Sequence, residues 1–134
     1  MTRIDNLPLS VPQMDREHDE LIAQANEFSA AGDRGACRAE LKLRLTLLIE
    51  GFQHHFDSEE DLMRANGFPG LKLHSDEHRK LMGQISGLRD GVGSGVVALC
   101  DALVLFVRLW VEQHVARADT SFAQFLHDAK IHYA

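Results

Sequence analysis

Residues 41–62 read LKLRLTLLIEGFQHHFDSEEDL. Within them Leu41, Leu45, Leu48, Phe52, His55, Glu59 and Leu62 recur at alternating steps of four and three, the spacing that lines the buried face of a helix in a bundle. Two members of that face, His55 and Glu59, are polar. A buried polar group without a partner costs about 1–3 kcal/mol, and an unpaired buried charge more. The stretch therefore predicts both a helix and something that compensates its interruption.

Outward from this helix, three clusters of turn residues divide the chain: Ala-Gly-Asp-Arg-Gly at 31–35, Asn-Gly-Phe-Pro-Gly at 66–70 and Gly-Val-Gly-Ser-Gly at 91–95. They predict helices at about 13–31, 36–65, 70–90 and 95–117, with a further piece to about 129. The short connections imply antiparallel neighbours. The expected fold is all-α: one domain over residues 1–134, an antiparallel up-down-up-down four-helix bundle behind an N-terminal arm at 1–12. The first seam reads Met14, His18, Leu21, Ala25, Phe28, and the third Leu71, His74, His78, Leu81, Ile85, Leu88. The fourth reads Val96, Cys100, Leu103, Val107, Trp110, His114. Every helix thus carries at least one polar residue in its core face.

Composition excludes several classes of function. With 134 residues, 45% of them hydrophobic and only three prolines, the chain suits a single compact helical core. A net charge of −6 without a basic stripe argues against a nucleic-acid partner. The N-terminal MTRIDNLPLSVPQMD lacks the apolar run of a signal peptide, and the apolar stretch 96–111 is cut by Asp101 and Arg108, which argues against membrane insertion. Cys37 and Cys100 lie far apart without CxxC spacing, as expected of reduced thiols in a cytoplasmic protein, and Cys100 reads as a small core residue.

Single pairs among the polar seam residues prove little. With 8 histidines and 20 acids in 134 residues, chance alone gives about 1.2 histidines with an acid four positions on and about 0.5 His–His pairs at that spacing. The conjunction is different: His18, His55, Glu59, His74, His78 and His114 all fall on one predicted core, from four helices, and residues four apart share a helical face. That combination points to metal. With Asp119 the set offers seven N/O donors, enough for two ions and unlike a four-ligand structural zinc site. HExxH is absent, and no histidine has a glutamate three residues before it, so the ExxH motif of ferritin-like di-iron bundles is absent too. Imidazole with carboxylate suits non-haem iron, with manganese and copper left open by donor type alone.

The order MDREH (14–18), HHFDSEEDLM (54–63), NGFPGLKLHSDEH (66–78) and LWVEQHVARAD (109–119) closely resembles the hemerythrin family, particularly its single-domain bacterial members. The match spans about residues 4–127 and includes Phe56, Glu60, Met63, the Gly67–Pro69 turn and Trp110. Many bacterial members carry a tryptophan near the N-terminus; here Ile4 or Leu7 takes its place. The resemblance implies that His74, His78 and His114 bind one iron, His18 and His55 the other, and that Glu59 and Asp119 bridge them beside an oxo or hydroxo bridge. One coordination position then remains for dioxygen. Reversible dioxygen binding for storage, delivery or scavenging follows, with an oxygen-accepting protein as an expected partner. Two alternatives are an oxygen or redox sensor acting with a signalling partner, and a di-iron enzyme turning over peroxide or nitric oxide. No acid or base beyond the donors is positioned for catalysis, and the initial Met and lack of a linker favour a free-standing oxygen binder over either.

Ile22, Phe52, Met63, Leu81, Met82 and Trp110 lie one turn from the donors and are the candidates for a dry oxygen pocket. His54 falls one position off the seam and reads as a flanking residue, while His127 and His132 read as solvated. Glu60 faces about 100° from Glu59, toward the surface or in outer support of the site. Asp15 is a candidate either for the N-cap of the first helix or for a hydrogen-bond acceptor behind a donor histidine. Asp119 stands five residues after His114, about 140° around an ideal α-helix. To face the same centre, the fourth helix must bulge, tighten or end between Ala116 and Asp119.

Overall fold

A proline at the first helical position starts the bundle. Pro12 opens α1 (Pro12–Asp33), where its fixed φ suits a helix and its missing N–H goes unneeded. α2 (Arg38–Ala65), α3 (Leu71–Asp90) and α4 (Val96–Leu109) follow. The fourth helix does not stop near 117. It continues through a π-helical segment, Trp110–Asp119, directly into α5 (Thr120–Asp128). The computed structural model describes residues 11–90 and 96–129; residues 1–10 with Ile4 and Leu7, the 91–95 connection, His132 and the side chain of Cys100 lie outside that description.

Both described turns depend on a glycine in the left-handed region, Gly35 at φ 76° and Gly67 at φ 65°. α1 and α3 each pack against both α2 and α4, which closes the antiparallel four-helix ring. N-capping departs from expectation. The N-cap of α1 is Val11, so Asp15 lies inside the first turn, where its charge complements the helix dipole.

The buried apolar residues form two clusters. The larger joins Leu21, Ile22, Ala25 and Phe28 of α1 to Leu45, Leu48, Phe52 and Phe56 of α2, Ile85 of α3, and Leu103, Val107 and Trp110. The smaller gathers Val11, Met14, Met63, Phe122, Ala123 and Leu126. On each strut of the bundle the polar seam residues fall between the two: His18 between Met14 and Leu21, His55 and Glu59 between Phe52 and Met63, His114 and Asp119 between Trp110 and Phe122. Two dry layers thus enclose one polar layer.

Phe28 is fully buried in the larger cluster, two turns or more from the polar layer. Phe28→Ala is expected to cost about 3–5 kcal/mol of folding stability, read as a lower denaturation midpoint in urea.

Candidate metal centre

All four helices deliver the polar layer, and none of its seven residues is more than 3% exposed. The i, i+4 spacing stacks His55 with Glu59 and His74 with His78 on single faces. Asp119 reaches the layer by a different device. A π-helix bonds i to i+5, so five residues make about one turn and Asp119 returns beneath His114. The last of these bonds is explicit: Thr120 gives both its backbone N–H and its hydroxyl to the Val115 carbonyl, the hydroxyl at 3.0 Å.

The donor atoms divide into two groups. In each, the nitrogens and oxygens lie within 4.8 Å of one another: Glu59, His74, His78, His114 and Asp119 in one, His18, His55, Glu59 and Asp119 in the other. Each carboxylate splits its two oxygens between the groups. Glu59 Oε1 lies 2.6 Å from His74 Nε2 and 3.2 Å from His78 Nε2, and Asp119 Oδ1 lies 2.8 Å from His74 Nε2 and 3.1 Å from His114 Nε2. On the other side, Glu59 Oε2 is 3.2 Å from His55 Nε2 and Asp119 Oδ2 is 3.3 Å from His18 Nε2.

Close as these atoms are, several lack hydrogen-bond alignment. Both Glu59 oxygens, Asp119 Oδ2, His55 Nε2 and His18 Nε2 are buried without a hydrogen-bond partner among the described residues. The Nε2 atoms of His78 and His114 face each other at 3.0 Å. Nitrogens and carboxylate oxygens crowded this way need protons or cations among them. A donor set of five imidazoles and two carboxylates, with orphaned acceptors aimed inward, fits a pair of metal ions.

Burial disfavours charge on every one of these groups. Burial raises Glu59, but the imidazoles of His114, His55, His74 and His78 outweigh it and hold the carboxyl well below its usual range. Asp119 is raised by burial and by the Glu59 charge, yet His114 and His18 bring it down to about 2. Burial would lower the histidines. Instead Glu17 and Glu59 push His55 up to about 10, Asp119 and Glu59 push His74 to about 9, and the same two carboxylates push His114 to about 11.

Behind the imidazoles stands a ring of carboxylates, each one position from a layer residue on its own helix. His55 Nδ1 donates to Glu17 Oε1 of α1 at 2.7 Å, and His78 Nδ1 to Glu60 Oε2 of α2 at 2.9 Å. His114 Nδ1 lies 3.0 Å from Glu77 Oε1 of α3, off the hydrogen-bonding direction. A proton kept on Nδ1 leaves the Nε2 lone pair facing inward. Glu60 therefore belongs to the outer support. Sequence reasoning missed Glu17 and Glu77; each is the glutamate of a Glu-His pair, turned toward the next helix by one residue of rotation, about 100°, but that pairing alone does not tell such a residue from a solvent-facing one.

The six pocket candidates do not share one wall. Ile22, Phe52 and Trp110 are buried in the larger cluster, and Leu81 and Met82 pack against it half-buried. Met63 lies on the opposite side of the polar layer, with Met14 and Phe122. Trp110 meets His18 and His55 edge-on, with ring centroids at 5.3 and 6.0 Å, and Phe56 stacks on His78 at 4.1 Å. His54 and His127 are exposed, away from the donor groups.

A four-helix bundle closed around a buried histidine and carboxylate layer defines a metal-binding helical protein. Residues 9–126 match the hemerythrin HHE cation binding domain, and the chain belongs to that family. It is similar to a bacteriohemerythrin of Campylobacter jejuni subsp. jejuni serotype O:23/36 (strain 81-176), 28% identical over 112 residues that cover 84% of each chain. It is also similar to the hemerythrin-like protein of Naegleria fowleri, 26% identical over 110 residues, 82% of this chain and 80% of that one. The myohemerythrin of Sipunculus nudus is 27% identical over 79 residues, 59% of this chain and 60% of that one.

Two outcomes are expected of this layer. Moving the carboxylate back one position, Ala118→Asp with Asp119→Ala, would restore a step of four from His114, and on an α-helix would rescue metal uptake. In the π segment position 118 is half-buried outside both donor groups, at a surface pocket with Phe68, His74, Glu77 and Ser121, so the double variant should bind as poorly as Asp119→Ala alone, measured by metal content after dialysis. Second, His55, His74 and His114 hold protons at neutral pH in the metal-free chain, so divalent metal must displace about three of them. Affinity should climb most steeply below about pH 9, continue to rise more gently through about 11 as His55 and His114 lose their protons, and metal should be lost in acid, with proton release counted by calorimetry in buffers of different ionisation heat.

Proposed function

We propose that this chain binds dioxygen reversibly at a non-haem di-iron centre, with His74, His78 and His114 on one iron, His18 and His55 on the other, and Glu59 and Asp119 bridging. The observation that carries this reading is the division of the carboxylate oxygens, Oε1 and Oδ1 toward the three-histidine group and Oε2 and Oδ2 toward the two-histidine group. Two iron ions sharing a bridging oxygen atom would supply the electrons that reversible dioxygen binding needs.

The protein's part is to orient, to enclose and to leave room. Three imidazoles and two carboxylate oxygens surround one position, and two imidazoles and two carboxylate oxygens the other. The second has one protein donor fewer, which supports it as the side open to an added ligand. That side is also the one backed by Trp110, with Phe52 at 4.8 Å from the tryptophan and Ile22 buried one turn below His18. These side chains exclude water and the protons that would drive off a reduced oxygen species. Holding five of the seven donors as neutral imidazoles limits the stabilisation of the ferric pair, which favours release of oxygen over its activation. Storage, delivery or scavenging of oxygen is the role we infer.

Iron-loaded protein, reduced without air and then exposed to oxygen, should develop a visible charge-transfer band that disappears under vacuum over repeated cycles. Rapid bleaching to a diferric form that vacuum does not reverse would overturn the carrier reading.

A further inference from the structure

The five imidazoles are held unequally. In the three-histidine group Glu60 accepts from His78 and Glu77 lies against His114. In the two-histidine group only His55 has such an acceptor. His18 Nδ1 is buried without a partner among the described residues, and the His18 ring rests edge-on against His55 at 4.8 Å and Trp110 at 5.3 Å. The outer support of this half therefore runs through Glu17.

Glu17 is itself held. Ser58 Oγ donates to Glu17 Oε2 at 2.9 Å, and Gln13 Nε2, one turn earlier on α1, donates to Ser58 Oγ at 2.6 Å. The Ser58 hydroxyl is thus used in both directions, as acceptor from Gln13 and as donor to Glu17. Its position matters for both donors of the half. Ser58 lies three residues after His55 on α2, and Glu17 immediately precedes His18 on α1. Pinning the Glu17 carboxylate to α2 orients His55 through Nδ1 and sets the rotation of α1 at the turn that carries His18. The clamp also borders water: Gln13 and Ser58 line a surface pocket of about 470 Å³ with His54, Asp57, Asp61 and Leu62. Without the hydroxyl, solvent in that pocket would compete for the free Glu17 oxygen.

We propose that Ser58 is a positioning residue: bridging Gln13 and Glu17, it fixes His55 and His18 together and sets how long a metal ion stays in the two-histidine half. This role rests on the two-metal reading above. The other half carries its own counterpart, Ser75, which helps hold the Glu60 carboxyl behind His78 below its usual range and serves as an internal control.

The test uses the full chain loaded with cobalt(II), whose visible bands report its coordination, and challenged with excess EDTA. Wild-type protein should hold two ions and release them in two phases, the faster from the half with fewer donors. Ser58→Ala should speed the faster phase about 10-fold, the lower end for an outer hydrogen-bond partner of a metal-binding histidine, and leave the slower phase unchanged. Ser58→Thr, which keeps the hydroxyl, should restore the wild-type rate, and Ser75→Ala should leave the faster phase as it was. Ser58 is half-buried, and its alanine variant also loses two hydrogen bonds between α1 and α2, so the metal-free melting temperature should fall for Ser58→Ala; a general loss of stability would speed both phases, whereas the positioning role speeds only the faster. Equal acceleration of both phases, no acceleration, or failure of Thr to rescue would overturn the positioning role. Uptake of fewer than two cobalt ions by wild-type protein would instead overturn the two-metal reading, and the proposal with it.

Discussion

Two carboxylates with almost no exposure, Glu59 at 1% and Asp119 at 0%, lie at the middle of the bundle between apolar clusters. Everything else in the layer answers their burial. An uncompensated carboxylate there would be neutralised or would unfold the chain, so each helix must bring imidazoles to it. The apolar clusters above and below then keep the compensation local, because no water reaches the charges to screen them.

The arrangement of helices explains how two carboxylates can serve two groups of donors. α2 carries Glu59 and the helix continuing from α4 carries Asp119, and each of these helices lies against both α1 and α3. α1 brings His18 to one side, and α3 brings His74 and His78 to the other. A carboxylate held between two such neighbours presents one oxygen to each. The remaining imidazoles, His55 and His114, come from the carboxylate-bearing helices themselves and complete one group apiece. The ring of outer glutamates follows the same order, α1 behind His55, α2 behind His78 and α3 behind His114. Where the ring would close, behind His18, no described residue accepts from it.

The bundle and its polar layer were legible in the sequence because both are periodic. Steps of three and four placed six of the seven layer residues, and the glycines of the turns announced where helices end. Glu17 and Glu77 were not legible, since an exposed-side glutamate next to a histidine looks the same whether it faces solvent or the next helix. That distinction depends on how neighbouring helices are rotated, which no single-helix period contains. Met63 shows the same limit along the helix axis: one turn from Glu59 in sequence, it falls on the far side of the layer from Phe52 and Trp110. The N-cap reading of Asp15 failed by position, because Pro12 moved the helix start a turn earlier than the Asp suggested.

Asp119 was the one residue whose sequence position contradicted the α-helical period, and the conflict is resolved in the backbone. A helix could also have brought a carboxylate under His114 from position 118 with no irregularity at all. In the π segment one residue is added without breaking the rod, so α5 emerges in line and its Phe122, Ala123 and Leu126 still meet Val11, Met14 and Met63. Widening the helix at this level also changes what surrounds the layer, since Trp110 opens the segment against His18 and His55 and Asp119 closes it against His18. The irregular stretch therefore touches both halves: Trp110 walls the two-histidine side, His114 belongs to the three-histidine side, and Asp119 serves both. A feature that weakens regular hydrogen bonding is concentrated where one carboxylate must serve both donor groups, and its backbone cost is the cost of turning Asp119 under His114.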